Sequence, residues 1–183
     1  MKIYPINQKF DRIKSHYFKE CGYLKEISIP SSIKTICKYA FQNCYSLKQV
    51  SFNEDSSLII IKENAFERCE SLSVISLPMG LKKIGCHIFS ECTRLTKVSI
   101  VKIPDYAFNR CTSLMEIKIP SSITQIGEYA FNECSSIVYL FFTSPRLKIC
   151  KGAFKGCSSL NQISFKSILK SLPSYIFSNC TSL

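Results

Sequence analysis

One spacing governs what this chain can fold into. Phe-x-x-Cys recurs eight times, at Phe18/Cys21, Phe41/Cys44, Phe66/Cys69, Phe89/Cys92, Phe108/Cys111, Phe131/Cys134, Phe154/Cys157 and Phe177/Cys180. Successive cysteines of these pairs lie 23, 25, 23, 19, 23, 23 and 23 residues apart. Self-similarity at such a period marks a stacked array, because each unit is too small to bury its own apolar face and must do so against its neighbours.

Three residues after each Cys stands an aliphatic residue, followed by two more in alternation, as in Leu24/Ile27/Ile29, Leu47/Val50/Phe52 and Ile137/Leu140/Phe142. The alternation predicts a short half-buried strand. Pro30, Pro78 and Pro120 close it in three copies, where a missing amide donor does least harm. A loop with apolar pegs such as Ile33/Ile36 and Ile123/Ile126 follows. Then Ala40, Phe41, Cys44 and Leu47 fall at i, i+1, i+4 and i+7, which predicts a turn or two of helix.

Stacked units of this kind predict an α/β solenoid, with a parallel β-sheet on one face and short helical or turn segments on the other. Eight units are expected in one array: 1–23, 24–46, 47–71, 72–94, 95–113, 114–136, 137–159 and 160–182. The two length changes spare the strand and the Ala-Phe-x-x-Cys segment. Asn53-Glu54-Asp55 sits in a copy with two extra residues, and Val101-Lys102-Ile103-Pro104 in a copy lacking four. Met1, Tyr4, Ile6, Phe10 and Ile13 keep the register at one end, and Leu183 opens a further copy at the other. Neither end changes composition as a solenoid cap does, so a fragment, a truncated product or an array capped by a partner is expected.

The string Cys-x-x-Leu-x-x-Ile-x-Ile-Pro-x-Ser-Ile-x-x-Ile-Gly-x-x-Ala-Phe-x-x-Cys, clearest at Cys111–Cys134, resembles the BspA-type leucine-rich repeat. The resemblance covers the whole chain. It rests on the period, the Ile-Pro-Ser-Ser-Ile turn and the Ala-Phe-x-x-Cys-x-Ser-Leu segment occurring together. Departures are small: Cys37 and Cys150 stand where Gly85 and Gly127 stand, Ile88 and Ile176 replace Ala, and Thr-Arg-Leu follows Cys92. The resemblance implies a leucine-rich-repeat right-handed superhelix and a surface antigen or adhesion protein. That is a class of function and names no ligand.

Eleven cysteines raise the question of metal or disulfide. Eight share one repeat position and are expected to point inward as a buried thiol ladder. Neighbouring rungs, spaced like strands at about 4.8 Å, fall inside disulfide range, but parallel side-chain directions oppose pairing and an odd total leaves a free thiol. Local disulfides stay open for Cys37, Cys86 and Cys150. Neither Cys-x-x-Cys nor His-x-x-x-His occurs, so no metal or cofactor is expected. His16 and His87 are the two histidines, and the adjacent Cys86 and His87 send their side chains apart rather than into a nucleophile–base pair. Without a Gly-rich phosphate loop or a Gly-x-Ser-x-Gly elbow, no enzyme activity is expected.

The net charge of +11 favours acidic partners. The lysines are scattered singly over many copies, however, as on a solvated surface, and no dedicated nucleic-acid site is expected. The first nine residues lack the apolar run of a secretory signal, and no stretch approaches the roughly 18 apolar residues of a membrane span. Asn179-Cys180-Thr181 fits a glycosylation acceptor, with its middle residue in the cysteine column.

Binding has the better candidates. Outward residues of the strands should form a continuous surface, reading Ser28, Ser51, Ser76, Ser99, Lys118, Phe141 and Ser164, with Glu116 and Tyr139 beside it. Small serines keep the row smooth, and exposed aromatics are common binding anchors. The plainer reading is that Val138–Phe142 is an apolar strand whose outward ring is merely tolerated. Two functional readings follow: an adhesion module that engages a protein or glycan, and an intracellular leucine-rich-repeat scaffold, which unpaired thiols would suit.

Overall fold

The computed structural model describes residues 6, 9–100, 102–166 and 171–183; Met1, Tyr4 and Val101 lie outside them. The described residues hold thirteen short strands and no helix: β1 (Arg12–Ile13), β2 (Glu26–Ile29), β3 (Thr35–Ile36), β4 (Gln49–Phe52), β5 (Ile60–Ile61), β6 (Val74–Ser76), β7 (Lys83–Ile84), β8 (Lys97–Ser99), β9 (Glu116–Lys118), β10 (Gln125–Ile126), β11 (Tyr139–Phe142), β12 (Lys148–Ile149) and β13 (Gln162–Phe165).

All strand pairings are parallel, and each joins equivalent residues of successive copies. The first sheet runs β2-β4-β6-β8-β9 and resumes as β11-β13, with Val74, Lys97 and Glu116 in one row and Ile75, Val98 and Ile117 in the next. A second sheet runs β1-β3-β5-β7 and resumes as β10-β12. There Ile13, Ile36, Ile61 and Ile84 are in register, and an isolated bridge pairs Ile103 with Ile126. The chain is therefore a parallel-strand solenoid.

The second sheet occupies what the sequence presented as a loop. Its strands are two residues long, too short to show alternation, and only the stacking of copies turns pegs such as Ile36 and Ile126 into ladder positions.

The helical prediction for the Ala-Phe-x-x-Cys segment is overturned. Tyr39 and Asn43 both sit in the left-handed region, at φ 59° and 60°, and two such residues four apart break any right-handed helix. The segment is a run of tight turns: the amides of Ala40, Gln42 and Cys44 bond to the carbonyls three residues back, at Cys37, Tyr39 and Phe41. The intervening amides of Tyr39, Phe41 and Asn43 reach across to Glu63, Ala65 and Glu67 of the next copy, at 2.8–3.2 Å. Helical spacing arose because three turns in succession return Ala40, Phe41 and Cys44 to the same inward side, where all three are fully buried. Turn carbonyls and amides are satisfied between copies, as in a sheet, rather than within a helix.

The interior lies between the sheets and this turn face. Phe18, Phe41, Phe66, Phe89, Phe108, Phe131, Phe154 and Phe177 stack face to face, with successive ring centroids 5.0, 5.0, 5.8, 5.8, 5.3, 5.5 and 5.8 Å apart. Cys44, Cys69, Cys92, Cys111, Cys134 and Cys157 are buried, whereas Cys21, Phe177 and Cys180 at the two ends are half-buried. Phe10 is 45% exposed, unlike the fully buried Ile33 one copy on, so the column thins at that end. Copies press closest at Gly85, where an added Cβ would stand 2.3 Å from the Glu63 amide nitrogen.

Candidate binding face

The strands of the first sheet place the serine row as follows. Ser28 pairs with Ser51, Ser76 with Ser99, Ser99 with Lys118, and Phe141 with Ser164. Ser28, Ser51 and Ser76 are exposed, and Ser99 and Ser164 are half-covered. Small outward side chains cannot shield a neighbour, so Phe141 and Tyr139 stand free at 59% and 62% exposure. Their inward neighbours Leu140 and Phe142 are buried, which fixes the strand that carries the two rings. Among the described residues no adjacent loop covers Phe141. Lys118 lies on β9 by its backbone, and its side chain is outside the described residues.

Glu116 is not a free carboxylate. It receives Lys97 Nζ at 2.9 Å across the β8–β9 pair, so this charge is neutralised on the face itself. Two further apolar groups at the entry to the strands were not among the candidate binding residues, Met115 at 58% and Val138 at 43% exposure. The row chosen from alternation began one residue later and so omitted them.

The cysteine positions serve packing. Every cysteine is a free thiol, including Cys37, Cys86 and Cys150. From Cys44 onward each thiol of the column donates to the phenylalanine carbonyl of the previous copy, as from Cys44 to Phe18 at 2.9 Å and from Cys134 to Phe108 at 3.0 Å. Burial pushes the thiols of Cys44 and Cys157 up to about 12, and those of Cys69, Cys92, Cys111 and Cys134 well above the ordinary range. Buried thiols held as S–H are poor nucleophiles. Cys86 is also raised by burial. His87 beside it turns away to stack on Tyr106, centroids 4.6 Å apart.

His87 belongs to a second aromatic column on the turn face. His16 stacks on Tyr39 at 5.1 Å, and Tyr106 on Tyr129 at 5.3 Å. Lys38 and Lys151 lie over Tyr39 and Tyr175 at 4.9 and 5.6 Å. These rings occupy the left-handed position two residues before the column phenylalanine. Their recurrence as Tyr or His was visible in the aligned copies, but a helical reading gave it no consequence.

The BspA-type leucine-rich repeat region, a six-copy family model, matches residues 11–102 and 98–183. The chain belongs to this family. No curated protein matches it. Among solved structures, it is similar to a leucine-rich cell surface protein of Faecalibacterium prausnitzii, with 29% identity, a TM-score of 0.74, and coverage of 89% of this chain and 44% of that one. It is also similar to a leucine-rich repeat protein of T. pallidum, with 27% identity, a TM-score of 0.60, and coverage of 85% and 65%. This BspA-type chain therefore spans less than two thirds of either relative's length. No helix among its described residues is long and apolar enough to cross a membrane.

Proposed function

We propose that this BspA-type array is a non-catalytic interaction module of the surface-antigen or adhesion kind, one array of eight units over 1–183, which engages a partner protein through the first sheet around Tyr139 and Phe141. The observation that carries the reading is the exposure of two aromatic rings on a strand whose inward residues are locked in the core. Rigid aromatic anchors lose little conformational freedom on binding. The serines at Ser28, Ser51, Ser76, Ser99 and Ser164 leave room for a partner to lie flat along the sheet. A protein partner fits this surface better than a glycan, because the paired Lys97 and Glu116 leave the apolar groups as its main feature. The naming of the Faecalibacterium relative as a cell surface protein supports display. The buried, proton-holding thiols and the stacked His87 support the absence of catalysis.

An intracellular scaffold is the second reading, favoured by the eleven free thiols, which suit a reducing compartment. Labelling intact cells with a membrane-impermeant reagent separates the two. Modification of the protein supports display, and full protection removes it. For the face itself, the purified chain is measured against a panel of immobilised extracellular matrix proteins. Tyr139→Ser with Phe141→Ser is expected to weaken binding at least tenfold while leaving the circular-dichroism spectrum unchanged. Unaltered affinity overturns the assignment of this face.

A further inference from the structure

The second sheet carries a charge pattern that the first lacks. Its outward row reads Arg12, Thr35, Ile60 and Lys83 through the pairings of β1, β3, β5 and β7, and Gln125 and Lys148 through β10 and β12. Lys102 precedes Ile103, which pairs with Ile126, and so takes the same row beside Gln125. Lys34, Lys62 and Lys82 flank the row. Lysines far apart in the sequence are thus brought into line, because residues about 23 apart become neighbours at one strand spacing, about 4.8 Å.

Among the described residues these lysines form no ion pair, although Asp11 holds Arg12 and Glu63 lines the groove between the lysines. Three pairs of charges elsewhere are matched between copies: Arg68 with Glu91 at 3.3 Å, Arg110 with Glu133 at 3.0 Å, Lys97 with Glu116 at 2.9 Å. Among the described residues Lys62, Lys82, Lys83, Lys102 and Lys148 form no ion pair, and all five are exposed. Arg12 at the end of the row is held by Asp11 at 3.0 Å. An open groove is lined by Lys62, Lys82, Lys83 and Lys102, with Glu63 as its one acidic residue. The copy that lacks four residues extends it as a notch lined by Lys102, Ser122, Thr124 and Gln125. Lys102 Nζ donates to the carbonyl of Lys82, another residue of the groove.

We propose that this second-sheet face binds a sulfated polysaccharide, laid along the solenoid axis from Lys62 to Lys148. A linear polyanion matches Lys83 and Lys102 as neighbours in the row, Lys62 and Lys82 beside them, and Lys148 one position beyond the neutral Gln125, and lysine supplies compact charge without demanding one planar geometry. Hydroxyl and amide groups at Ser122, Thr124 and Gln125 suit sugar hydroxyls. A nucleic acid is the poorer fit, because the described residues that line the groove and its notch include no aromatic platform for bases. The site is separate from Tyr139 and Phe141 and does not depend on their role.

The test uses heparin as the probe, titrated against the full chain over a range of salt concentrations. Lys82→Gln/Lys83→Gln/Lys102→Gln is expected to weaken binding at least tenfold and to lower the slope of log affinity against log salt by about two to three. Lys25→Gln/Lys48→Gln/Lys97→Gln removes the same charge from the first sheet and is expected to change affinity less than threefold. All six lysines are exposed, and circular dichroism checks that both variants fold. Equal losses in the two variants reduce the effect to net charge and overturn the site. Tighter binding of a single-stranded DNA oligonucleotide than of heparin at the same salt overturns the ligand class, and absence of heparin binding at low salt overturns both. The Tyr139/Phe141 variant keeps heparin affinity, so failure here leaves the protein-binding reading standing.

Discussion

The thiol of Cys111 donates to the carbonyl of Phe89 at 3.0 Å, and that carbonyl already accepts the Cys92 amide at 3.1 Å. One phenylalanine oxygen thus closes a turn in its own copy and clips the next copy to it. The position needs a residue small enough for full burial, apolar enough to sit among the rings, and still able to donate. Cysteine meets all three demands.

Replacing Cys111 with Ala removes both the donor and part of the packed volume. A loss of about 1–3 kcal/mol is expected, read by chemical denaturation. Cys111→Ser keeps a donor and should lose less than the Ala variant. Equal losses would assign the whole effect to volume and make the hydrogen bond irrelevant.

The phenylalanine column predicts a cost that depends on position. Phe131 packs between Phe108 and Phe154, at 5.3 and 5.5 Å, and is fully buried, so Phe131→Ala is expected to cost about 3–5 kcal/mol. Phe177 is half-buried with a single ring neighbour in the column, and Phe177→Ala should cost less than half as much. Similar melting of the two variants would contradict a continuous stacked interior.

Much of this was legible in the sequence because stacking converts period into contact. The strand at Ile27/Ile29, its parallel pairing with Val50/Phe52, and the columns at Phe131 and Cys134 all follow from one alignment of copies. Two features were not legible. Inward positions at Ala40, Phe41 and Cys44 have the same spacing in a helix and in consecutive turns, and only backbone dihedrals separate them. The row of Lys83, Lys102 and Lys148 looked like scatter because no local window holds two of its members. Of the candidate face, Tyr139 and Phe141 could be placed from alternation, but the Lys97–Glu116 pair depends on side-chain reach between strands.

The turn assignment makes a prediction of sign at Asn43, which has φ 60°. In the left-handed region glycine is tolerated and alanine is strained, so Asn43→Gly should be more stable than Asn43→Ala by about 1 kcal/mol. Both variants lose the same side chain, which cancels its contacts. A helix at this position would reverse the order, since glycine then costs about 1 kcal/mol relative to alanine. Paired thermal melts decide between them.

The thiol ladder also predicts failure in alkali. An unfolded thiol titrates near 8.5, whereas burial raises Cys44 and Cys157 to about 12 and lifts Cys69, Cys92, Cys111 and Cys134 as well. Below the unfolded value both states hold their protons, and the ladder has no pH dependence. Above it the unfolded chain releases protons that the folded chain retains, so stability falls as pH rises until the folded values are reached. Each thiol contributes about 1.4 kcal/mol per pH unit in that window, and the six together about 8 kcal/mol. A domain of ordinary stability, about 5–15 kcal/mol, cannot survive more than one or two such units. Circular dichroism against pH is therefore expected to show loss of structure between about pH 9.5 and 11, with thiolate absorbance rising in the same interval. A native spectrum that persists while the thiolate signal appears would mean that the ladder ionises inside the folded solenoid, and the burial of these six sulfurs would have to be abandoned.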